Sequence, residues 1–329
     1  MRSKPIVCVG VALTAGLLLA ACGGGQVGGS SGSGAAATPK NKNIVYIPGD
    51  IEPFYTSIQC AAQAEASKLG YQFSMQGAQK FSADAQTPIV TAVANTKPAG
   101  VLIAPTDNVA MANPIKQLTA AGTKVVEVDT ALKDNSISVS SVSTDNPAGG
   151  TLAADTLAKL LGTKKGSVLV LNTVAGTSTT DQREQGFTQE LKKYPNLTVL
   201  PQQYTNNDPA TASQKVSQTL SANPDLVGIF ATNLQTGQGA GSALRSAGAN
   251  AKVTLVGFDA SPNEVNDLRN GTFQALIAQD PATIGKDGVD QVVNAIEGKP
   301  VTPHIGTQLV AITQQNMDAQ QQYFYKSAC

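Results

Sequence analysis

The chain has 329 residues, of which 23 are basic and 23 acidic, and it contains no tryptophan and one histidine. This length is enough for two lobes with separate hydrophobic cores, and the charge balance argues against nucleic acid as a partner. A Ser-His-Asp site or a histidine metal site would depend on His304 alone, so we expect no enzymatic activity, no cofactor and no metal.

Residues 1–21 are typical of a secretion signal. Two basic residues precede an apolar stretch, Ile6–Ala20, which has the length of a signal peptide and is short for a membrane span. The stretch ends in Leu19-Ala20-Ala21-Cys22, which resembles a bacterial lipobox and implies cleavage before Cys22 and lipidation of its thiol. An ordinary secretory signal with a chance cysteine is the alternative. Residues 22–42, rich in Gly, Ser and Ala, are predicted to be a flexible tether that reaches at most roughly 70 Å.

The folded part is expected to begin with a strand, a turn and a helix. Ile44–Ile47 is a short apolar run that suits a buried strand, and Pro53 suits the first turn of the helix that follows. Phe54 and Tyr55 come just after the strand ends. At least one of these rings should therefore face the crevice in which open α/β sheets bind ligands.

The same alternation of β-rich apolar runs and helix-length segments continues along the chain, as is typical of parallel sheets in an α/β fold. Polar residues follow several of the runs, and these strand ends should line one crevice. Three segments without a helical period are candidates for crossings between lobes: 136–146, 270–283 and 301–313. Further strands are predicted at Tyr71–Met75, Val101–Ala104, Val125–Val128, Ser167–Leu171, Thr198–Leu200, Val227–Ala231, Thr254–Gly257, Thr272–Ala278 and Gln308–Ile312.

Seven short motifs occur in an informative order. They are Pro53-Phe54-Tyr55, Val128-Asp129, Ala175-Gly176-Thr177-Ser178, Arg183-x-x-Gly186-Phe187, Asn233, Val256-Gly257-Phe258-Asp259 and Ile277-Ala278-Gln279. In this order and spacing the chain resembles ribose-binding proteins, which are type I periplasmic sugar-binding proteins, from about residue 44 to 313. The resemblance implies an α/β fold of two Rossmann-like lobes with parallel sheets, joined by three crossovers. We divide the chain into an N-terminal lobe, 43–143 plus 280–308, and a C-terminal lobe with a tail, 144–279 plus 309–329.

The resemblance also assigns roles to individual residues. Phe54 and Tyr55 match aromatic residues that sandwich the sugar, whose C–H faces suit aromatic rings. Carboxylate and guanidinium groups suit the hydroxyls, because charge-assisted hydrogen bonds are the stronger kind. Five polar residues match those that hydrogen-bond the sugar: Asp129, Arg183, Asn233, Asp259 and Gln279.

Three further ligand-binding positions depart from the family pattern. Glu52 stands where ribose binders have Asn, Thr130 where they have Arg, and Asn207 where they have a third aromatic residue. For the last position, Asn206 and Asp208 are the alternatives. An ionised Glu52 adds a group that only accepts hydrogen bonds. Together the changes favour a ligand with more hydroxyl donors and less flat apolar surface than ribofuranose, such as a polyol or a differently configured monosaccharide.

Two of the four cysteines, Cys60 and Cys329, remain outside the cytoplasm once the signal is removed and Cys22 carries lipid. Cys329 ends a tail, 318–329, which extends beyond the family match and has room to fold back over the first lobe. We therefore predict a disulfide between Cys60 and Cys329. A buried Cys60 and a free Cys329 available for dimerisation are the alternative.

The resemblance indicates the substrate-binding lipoprotein of a bacterial ABC importer, which captures a monosaccharide or polyol and delivers it to the membrane permease. We expect a monomer that its lipid holds at the outer face of the cytoplasmic membrane. A lipid-anchored sensor that presents its ligand to a membrane receptor is the alternative. Lactose-repressor-type transcription factors share the fold, but they carry a DNA-binding helix-turn-helix where this chain has a signal and a tether.

Overall fold

The computed structural model of the protein describes residues 41–329. The predicted signal peptide, the lipidation site Cys22 and nearly all of the tether lie outside the described residues. Within 41–329, no helix is both long enough and apolar enough to cross a membrane. In the part of the chain that the structure describes, thirteen strands form two separate sheets, and nine α-helices pack against them.

The strands are β1 (Asn43–Ile47), β2 (Gln72–Met75), β3 (Gly100–Ile103), β4 (Lys124–Val128), β5 (Ser140–Thr144), β6 (Gly166–Asn172), β7 (Leu197–Val199), β8 (Gln203–Tyr204), β9 (Leu226–Ala231), β10 (Thr254–Phe258), β11 (Ala275–Gln279), β12 (His304–Thr307) and β13 (Leu309–Ile312). The α-helices are α1 (Pro53–Lys68), α2 (Ala83–Thr96), α3 (Ala112–Ala120), α4 (Asn146–Leu161), α5 (Ser178–Leu191), α6 (Pro209–Ala222), α7 (Leu234–Ser246), α8 (Pro262–Arg269) and α9 (Pro281–Ile296). A 3-10 helix, Met317–Tyr323, follows β13.

The first sheet has the strand order β12-β5-β4-β3-β1-β2, and all of its strands are parallel. Helices cover both faces, so the central strands are apolar on both sides. Along β1, Ile44 and Tyr46 pack in the cluster with α1 and α9, whereas Val45 and Ile47 pack in the cluster with α2 and α3. This double burial explains why the strand reads as a continuous apolar run in the sequence.

The second sheet has the order β13-β11-β10-β9-β6-β7, with β8 also pairing with β6, and β13 is its antiparallel edge. It is covered in the same way as the first sheet. Val168 and Val170 of β6 pack with α4 and α5 on one face. Leu169 and Leu171 pack with α6 and α7 on the other face.

The chain passes between the two sheets three times, after β5, after β11 and after β12. The last residues of these three strands meet. Thr144 Oγ1 donates to Gln279 Oε1 at 2.7 Å and lies 3.5 Å from Thr307 Oγ1. The predicted fold of two lobes with parallel sheets and three crossovers is confirmed. The residues at which the lobes divide remain a prediction.

A close helix contact in each lobe depends on glycine. Gly285 of α9 faces the backbone of α1 at Ile58, and Gly150 of α4 faces the backbone of α5 at Arg183. In both places a Cβ atom would collide with main-chain atoms. The two contacts hold α1 and α5, the helices that carry residues of the candidate site, firmly against their sheets.

Each of the three segments predicted to cross between the lobes contains a crossing, after β5, after β11 and after β12. The prediction missed two strands within these segments, β5 in 136–146 and β12 in 301–313, and placed the start of one strand too early. The strand predicted at 272–278 is β11, which begins at Ala275, because Thr272 N–H instead closes a turn onto Asp267 at 2.8 Å.

The C-terminal tail folds back from the second lobe to the first. It follows β13 through the 3-10 helix and ends in a disulfide between Cys329 and Cys60 of α1, with Cα atoms 5.2 Å apart. The predicted pairing of these two cysteines is therefore present in the structure. The tail reaches α1 within a few residues of the aromatic pair at the start of that helix.

Candidate functional site

A cavity lies between the two sheets, where strand ends of both lobes face each other. The structure brings together all ten ligand-binding residues predicted from the sequence. The residues lining the cavity are Glu52, Phe54, Tyr55, Phe81, Asp129, Thr130, Thr173, Thr177, Thr179, Thr180, Arg183, Asn207, Asn233, Asp259 and Gln279.

Two of the carboxylates occupy equivalent positions in the two lobes. Asp129 directly follows β4 and Asp259 directly follows β10, and both have positive φ angles, 65° and 91°. Their N–H groups bond to the neighbouring strand, at Val142 O (2.9 Å) and Ile277 O (2.8 Å). Non-glycine residues in this conformation cost of order 1–3 kcal/mol and cluster at functional sites. The strained turn aims each carboxylate away from its strand and into the cavity.

Arg183 is the cation of the cavity, and its own lobe holds it rigidly. Nε donates to Asn146 Oδ1 at 2.8 Å and Nη1 to Thr232 O at 2.9 Å. The guanidinium carbon lies 3.7 Å from the centre of the Phe258 ring, so the plane also stacks. Nη2 is buried and makes no hydrogen bond within the described part of the chain. This nitrogen therefore has donors to offer a ligand.

Asp259 and Gln279 form a connected pair on the second lobe. Gln279 Nε2 donates to Asp259 Oδ1 at 2.7 Å, and Asp259 Oδ2 accepts from the Leu234 N–H at 3.1 Å. Gln279 Oε1 also accepts from Thr144 at the crossovers. The Gln279 side chain thus lines the cavity and also contacts the crossover segments. It links the cavity wall to the segments that join the two lobes.

On the first lobe, the Tyr55 hydroxyl donates to Asp129 Oδ2 at 2.9 Å. Burial raises the pKa of Asp129 to about 6, although Arg183 and the Tyr55 hydroxyl lower it. The rings of Phe54 and Tyr55 meet edge to face with centres 5.2 Å apart. The prediction that at least one ring faces the crevice is confirmed, because both line the cavity.

The lobes contact each other directly across the cleft. Asn207 Nδ2 donates to Asp50 Oδ2 at 3.3 Å, and Gln235 Nε2 donates to Glu52 Oε2 at 3.3 Å. The Ala131 N–H donates to Ser178 Oγ at 3.0 Å. These bonds join loops of the first lobe to a loop and two helix N-termini of the second. The lobes are therefore closed around the cavity.

The three positions that depart from the family pattern all line the cavity. Of the residues considered for the last position, Asn207 lines it, whereas Asp208 caps α6 by accepting from the Thr211 N–H at 2.7 Å. Asn206 lines a separate groove outside the cavity. Burial raises the pKa of Glu52, and the nearby charges of Asp50 and Asp259 raise it further. The acceptor-only role was expected for an ionised Glu52, whereas the raised pKa favours the protonated form, which also donates.

Sequence reasoning missed five residues of the cavity wall. Phe81 precedes α2 and provides a third aromatic ring, from the first lobe rather than the second. Few aromatic residues exist in this chain, and a ring in a loop after a strand end could have been noticed. The hydroxyls come from the segment between β6 and α5 and from the first turn of α5, where the sequence motif at 175–178 was recognised without a role. They belong to Thr173, Thr177, Thr179 and Thr180.

Comparison with known proteins decides the family. Residues 44–300 match the periplasmic binding protein domain. The ribose import binding protein RbsB of Salmonella typhimurium is 34% identical over 250 residues, which are 76% of this chain and 82% of that protein. The chain belongs to the type I periplasmic sugar-binding proteins of ABC importers.

Solved structures of such sugar-binding proteins share the two-lobed fold. An ABC transporter solute-binding protein of Agrobacterium vitis, bound with α-D-tagatopyranose, matches with a TM-score of 0.84 at 36% identity, over 86% of this chain and 99% of that one. Another from the same organism, bound with D-fucose, matches with a TM-score of 0.81 at 29% identity, over 86% and 100%.

A catalytic site built on histidine and a metal site have little support in residues 41–329 of this sugar-binding protein. His304 lies on β12, with its Nδ1 2.9 Å from Ser141 Oγ, away from the cavity wall. Among residues 41–329, no group of three or more His, Cys, Asp or Glu side chains is arranged to hold a metal ion.

We predict that Asp50 makes the stability of this binding protein depend on pH. Burial and the nearby charge of Asp129 raise the pKa of Asp50 from 3.8 to about 7, although the hydrogen bond from Asn207 lowers it. The folded protein therefore holds this proton more tightly than the unfolded chain does. The contribution of Asp50 to the free energy of unfolding is fully present at low pH and falls as the pH rises from about 4 through 7. Above pH 7 the ionised carboxylate costs up to roughly 4 kcal/mol.

The Asp50→Asn variant is accordingly expected to melt at a higher temperature than the unmodified protein at pH 8, and to lose this advantage at pH 4. Melting curves by circular dichroism at both pH values measure the difference. Asp318→Asn, on the exposed tail, is the control and should show no such change. An equal difference at pH 4 and pH 8 would contradict the assignment of the titration to Asp50.

Proposed function

We propose that this protein captures a monosaccharide or polyol between its two lobes and delivers it to an ABC importer, without chemical change. One observation carries the proposal. A cavity lies between the two lobes, and its wall combines aromatic rings with polar groups of both charge signs. Rings suit the C–H faces of a sugar, and carboxylates, amides and a guanidinium suit its hydroxyls.

Unpartnered polar atoms in the wall support this proposal. Thr130 Oγ1, Thr177 Oγ1 and Arg183 Nη2 are buried without a hydrogen bond in the described residues. Buried polar groups of this kind cost free energy unless a partner is supplied. A polyhydroxylated ligand supplies donors and acceptors together. A bound sugar that reaches these atoms contacts both lobes and so stabilises the closed arrangement.

The ligand is expected to differ from ribose in its contacts. Thr130 lacks the fork of donors that an arginine has, and Asn207 has an amide in place of an aromatic ring. Phe81 restores an apolar surface at another point of the wall. The relatives that the chain resembles bind different monosaccharides, as the tagatose and fucose complexes of the Agrobacterium vitis proteins show. We therefore favour a hexose, a differently configured pentose or a polyol over ribofuranose.

A thermal-shift screen of the purified protein against pentoses, hexoses and polyols tests the function, with calorimetry on the best compounds. A ligand at 100 times its Kd stabilises the protein by about 2.7 kcal/mol, which a melting curve detects easily. No shift with any of these compounds would refute sugar binding. Tight ribose binding would refute only the exclusion of ribose. A second assay measures sugar uptake by cells that also carry the permease and ATPase encoded next to this protein. Sugar binding without uptake in these cells would favour the alternative of a sensor for a membrane receptor.

The proposed location is the outer face of the cytoplasmic membrane, through a lipid on Cys22. The support is the lipobox-like sequence and the Gly- and Ser-rich segment after it. Cys22→Ser is expected to give a protein that is released or left unprocessed, because the thiol that carries the lipid is lost. Fractionation of cells followed by intact mass measures this. Cys8→Ser is the control, since residue 8 is removed with the predicted signal peptide. A processed Cys22→Ser protein that stays on the membrane would contradict the anchor.

A further inference from the structure

A tyrosine of the C-terminal tail lies directly behind the sugar site. Tyr325 is 4% exposed. Its hydroxyl donates to Asp259 Oδ1 at 3.0 Å and accepts from the Gln279 N–H at 3.0 Å. Its ring centre lies 5.5 Å from that of Phe54. One side chain thus touches three residues of the cavity wall, two on the second lobe and one on the first.

The hydrogen bonds of Tyr325 complete the environment of the Asp259 carboxylate. Asp259 accepts from Leu234 N–H at 3.1 Å and from Gln279 Nε2 at 2.7 Å, so the tyrosine hydroxyl is its third donor. A carboxylate with donors on both oxygens has little freedom to rotate. Burial raises the pKa of Tyr325, so the hydroxyl keeps its proton and remains a donor.

The tail that brings Tyr325 to this place is fixed to both lobes. The Tyr325 N–H donates to Ala260 O at 3.0 Å on the second lobe. The next residue, Lys326, donates its N–H to Ser57 Oγ at 2.7 Å on α1 of the first lobe. Three residues later Cys329 forms its disulfide with Cys60 of the same helix. Two hydrogen bonds and one disulfide therefore fix the tail segment that carries Tyr325.

We propose that Tyr325 is a positioning residue of the sugar site, which fixes the Asp259 carboxylate and the Gln279 backbone and supports the Phe54 ring without contacting the sugar. The proposal rests on the proposed sugar binding. Tyr325 is absent from the cavity wall, so its effect on affinity must pass through the residues that it contacts. Ligand recognition in this chain thereby extends to a segment beyond the part that resembles ribose-binding proteins.

The experiment compares Tyr325→Phe with the unmodified protein by calorimetry, using whichever compound of the thermal-shift screen, D-ribose, D-tagatose and D-fucose among them, gives the largest shift. Phenylalanine keeps the ring against Phe54 and removes only the hydroxyl. Loss of this hydrogen bond is expected to weaken binding roughly tenfold. Tyr323→Phe is the matched control on the same tail, because the Tyr323 hydroxyl makes no hydrogen bond in the described residues, and it should leave the affinity unchanged.

A double-mutant cycle with Asp259→Asn separates positioning from a general loss of stability. If Tyr325 acts through Asp259, the Tyr325→Phe effect on affinity shrinks when Asp259 is already replaced. If Tyr325→Phe binds the sugar as tightly as the unmodified protein, the positioning role is overturned. It is also overturned if the effects of Tyr325→Phe and Asp259→Asn on the binding free energy are additive. Absence of a thermal shift of the unmodified protein with every pentose, hexose and polyol of the screen overturns the proposed function itself, and the role of Tyr325 with it.

Discussion

Replacing Arg183 by alanine is expected to weaken sugar binding by roughly tenfold to hundredfold, or about 1.5–3 kcal/mol. The guanidinium has one nitrogen, Nη2, buried without a partner in residues 41–329 and lining the cavity, and charge-assisted hydrogen bonds from such a donor are strong. Its loss also removes the positive charge that lowers the pKa of Asp129. The variant should therefore keep Asp129 protonated to higher pH than the unmodified protein does.

The same substitution is expected to destabilise the fold, and the design must separate the two effects. Asn146 Oδ1 and Thr232 O would lose their donor inside the protein, at a cost of about 1–3 kcal/mol for each unsatisfied group. Calorimetry is therefore done well below the melting temperature of the variant. Arg183→Lys is the second variant, because it keeps the charge and loses the planar fork. The control is Arg245→Ala, since Arg245 lies far from the cavity wall and pairs with Asp267. Unchanged affinity in Arg183→Ala would refute the site.

Reduction of the Cys60–Cys329 disulfide is expected to lower the free energy of unfolding by about 4 kcal/mol. The two cysteines are 269 residues apart in the sequence, so the bond closes a loop that includes nearly all of both lobes. In the chain-entropy model the stabilisation grows with loop length and for this loop is no more than roughly 5–6 kcal/mol. A loss of about 4 kcal/mol corresponds to a decrease of roughly 5–10 °C in Tm.

Three serine variants test whether this effect belongs to the bond. Cys60→Ser, Cys329→Ser and the double variant should lose the same stability, because each of them breaks one and the same link. Their melting temperatures should no longer respond to a reductant, whereas that of the unmodified protein falls. Additive losses in the double variant would show that the two side chains stabilise the fold separately. Two alkylated thiols in the unreduced chain, detected by intact mass, would contradict the bridge.

The sequence predicted those strands that are buried on both faces. Such strands carry their own signal, because Ile44–Ile47 and its equivalents are continuous apolar runs. In β5 the sequence Ser140–Thr144 is mostly hydroxyl residues, and β12 contains His304 and Gly306. These strands exist because they pair with each other and with β4. The pairing of β5 with β12 joins segments about 160 residues apart and leaves no local pattern in the sequence.

The site was predictable to the extent that its residues follow strand ends. Asp129 and Asp259 could be placed because each comes directly after a buried run. The cavity wall also contains Phe81 and a group of threonines, whose roles depend on how the lobes close. Tyr325 could not be assigned, because its position depends on the path of a tail that lies outside the family resemblance. Strand-end pattern and the family resemblance therefore identified residues of the cavity wall, whereas their supporting contacts required the fold.

The three crossovers also set an order in which the two lobes can be completed during synthesis. The second lobe is built from one continuous stretch from α4 to β11, apart from its edge strand β13. The first lobe lacks α9 and β12 until that whole stretch has been made, although α9 packs on α1 through Gly285. Contacts of such large sequence separation form slowly. The first lobe therefore reaches its final packing only after that stretch has been made, and until then the face of α1 that α9 covers stays exposed to aggregation or to a chaperone.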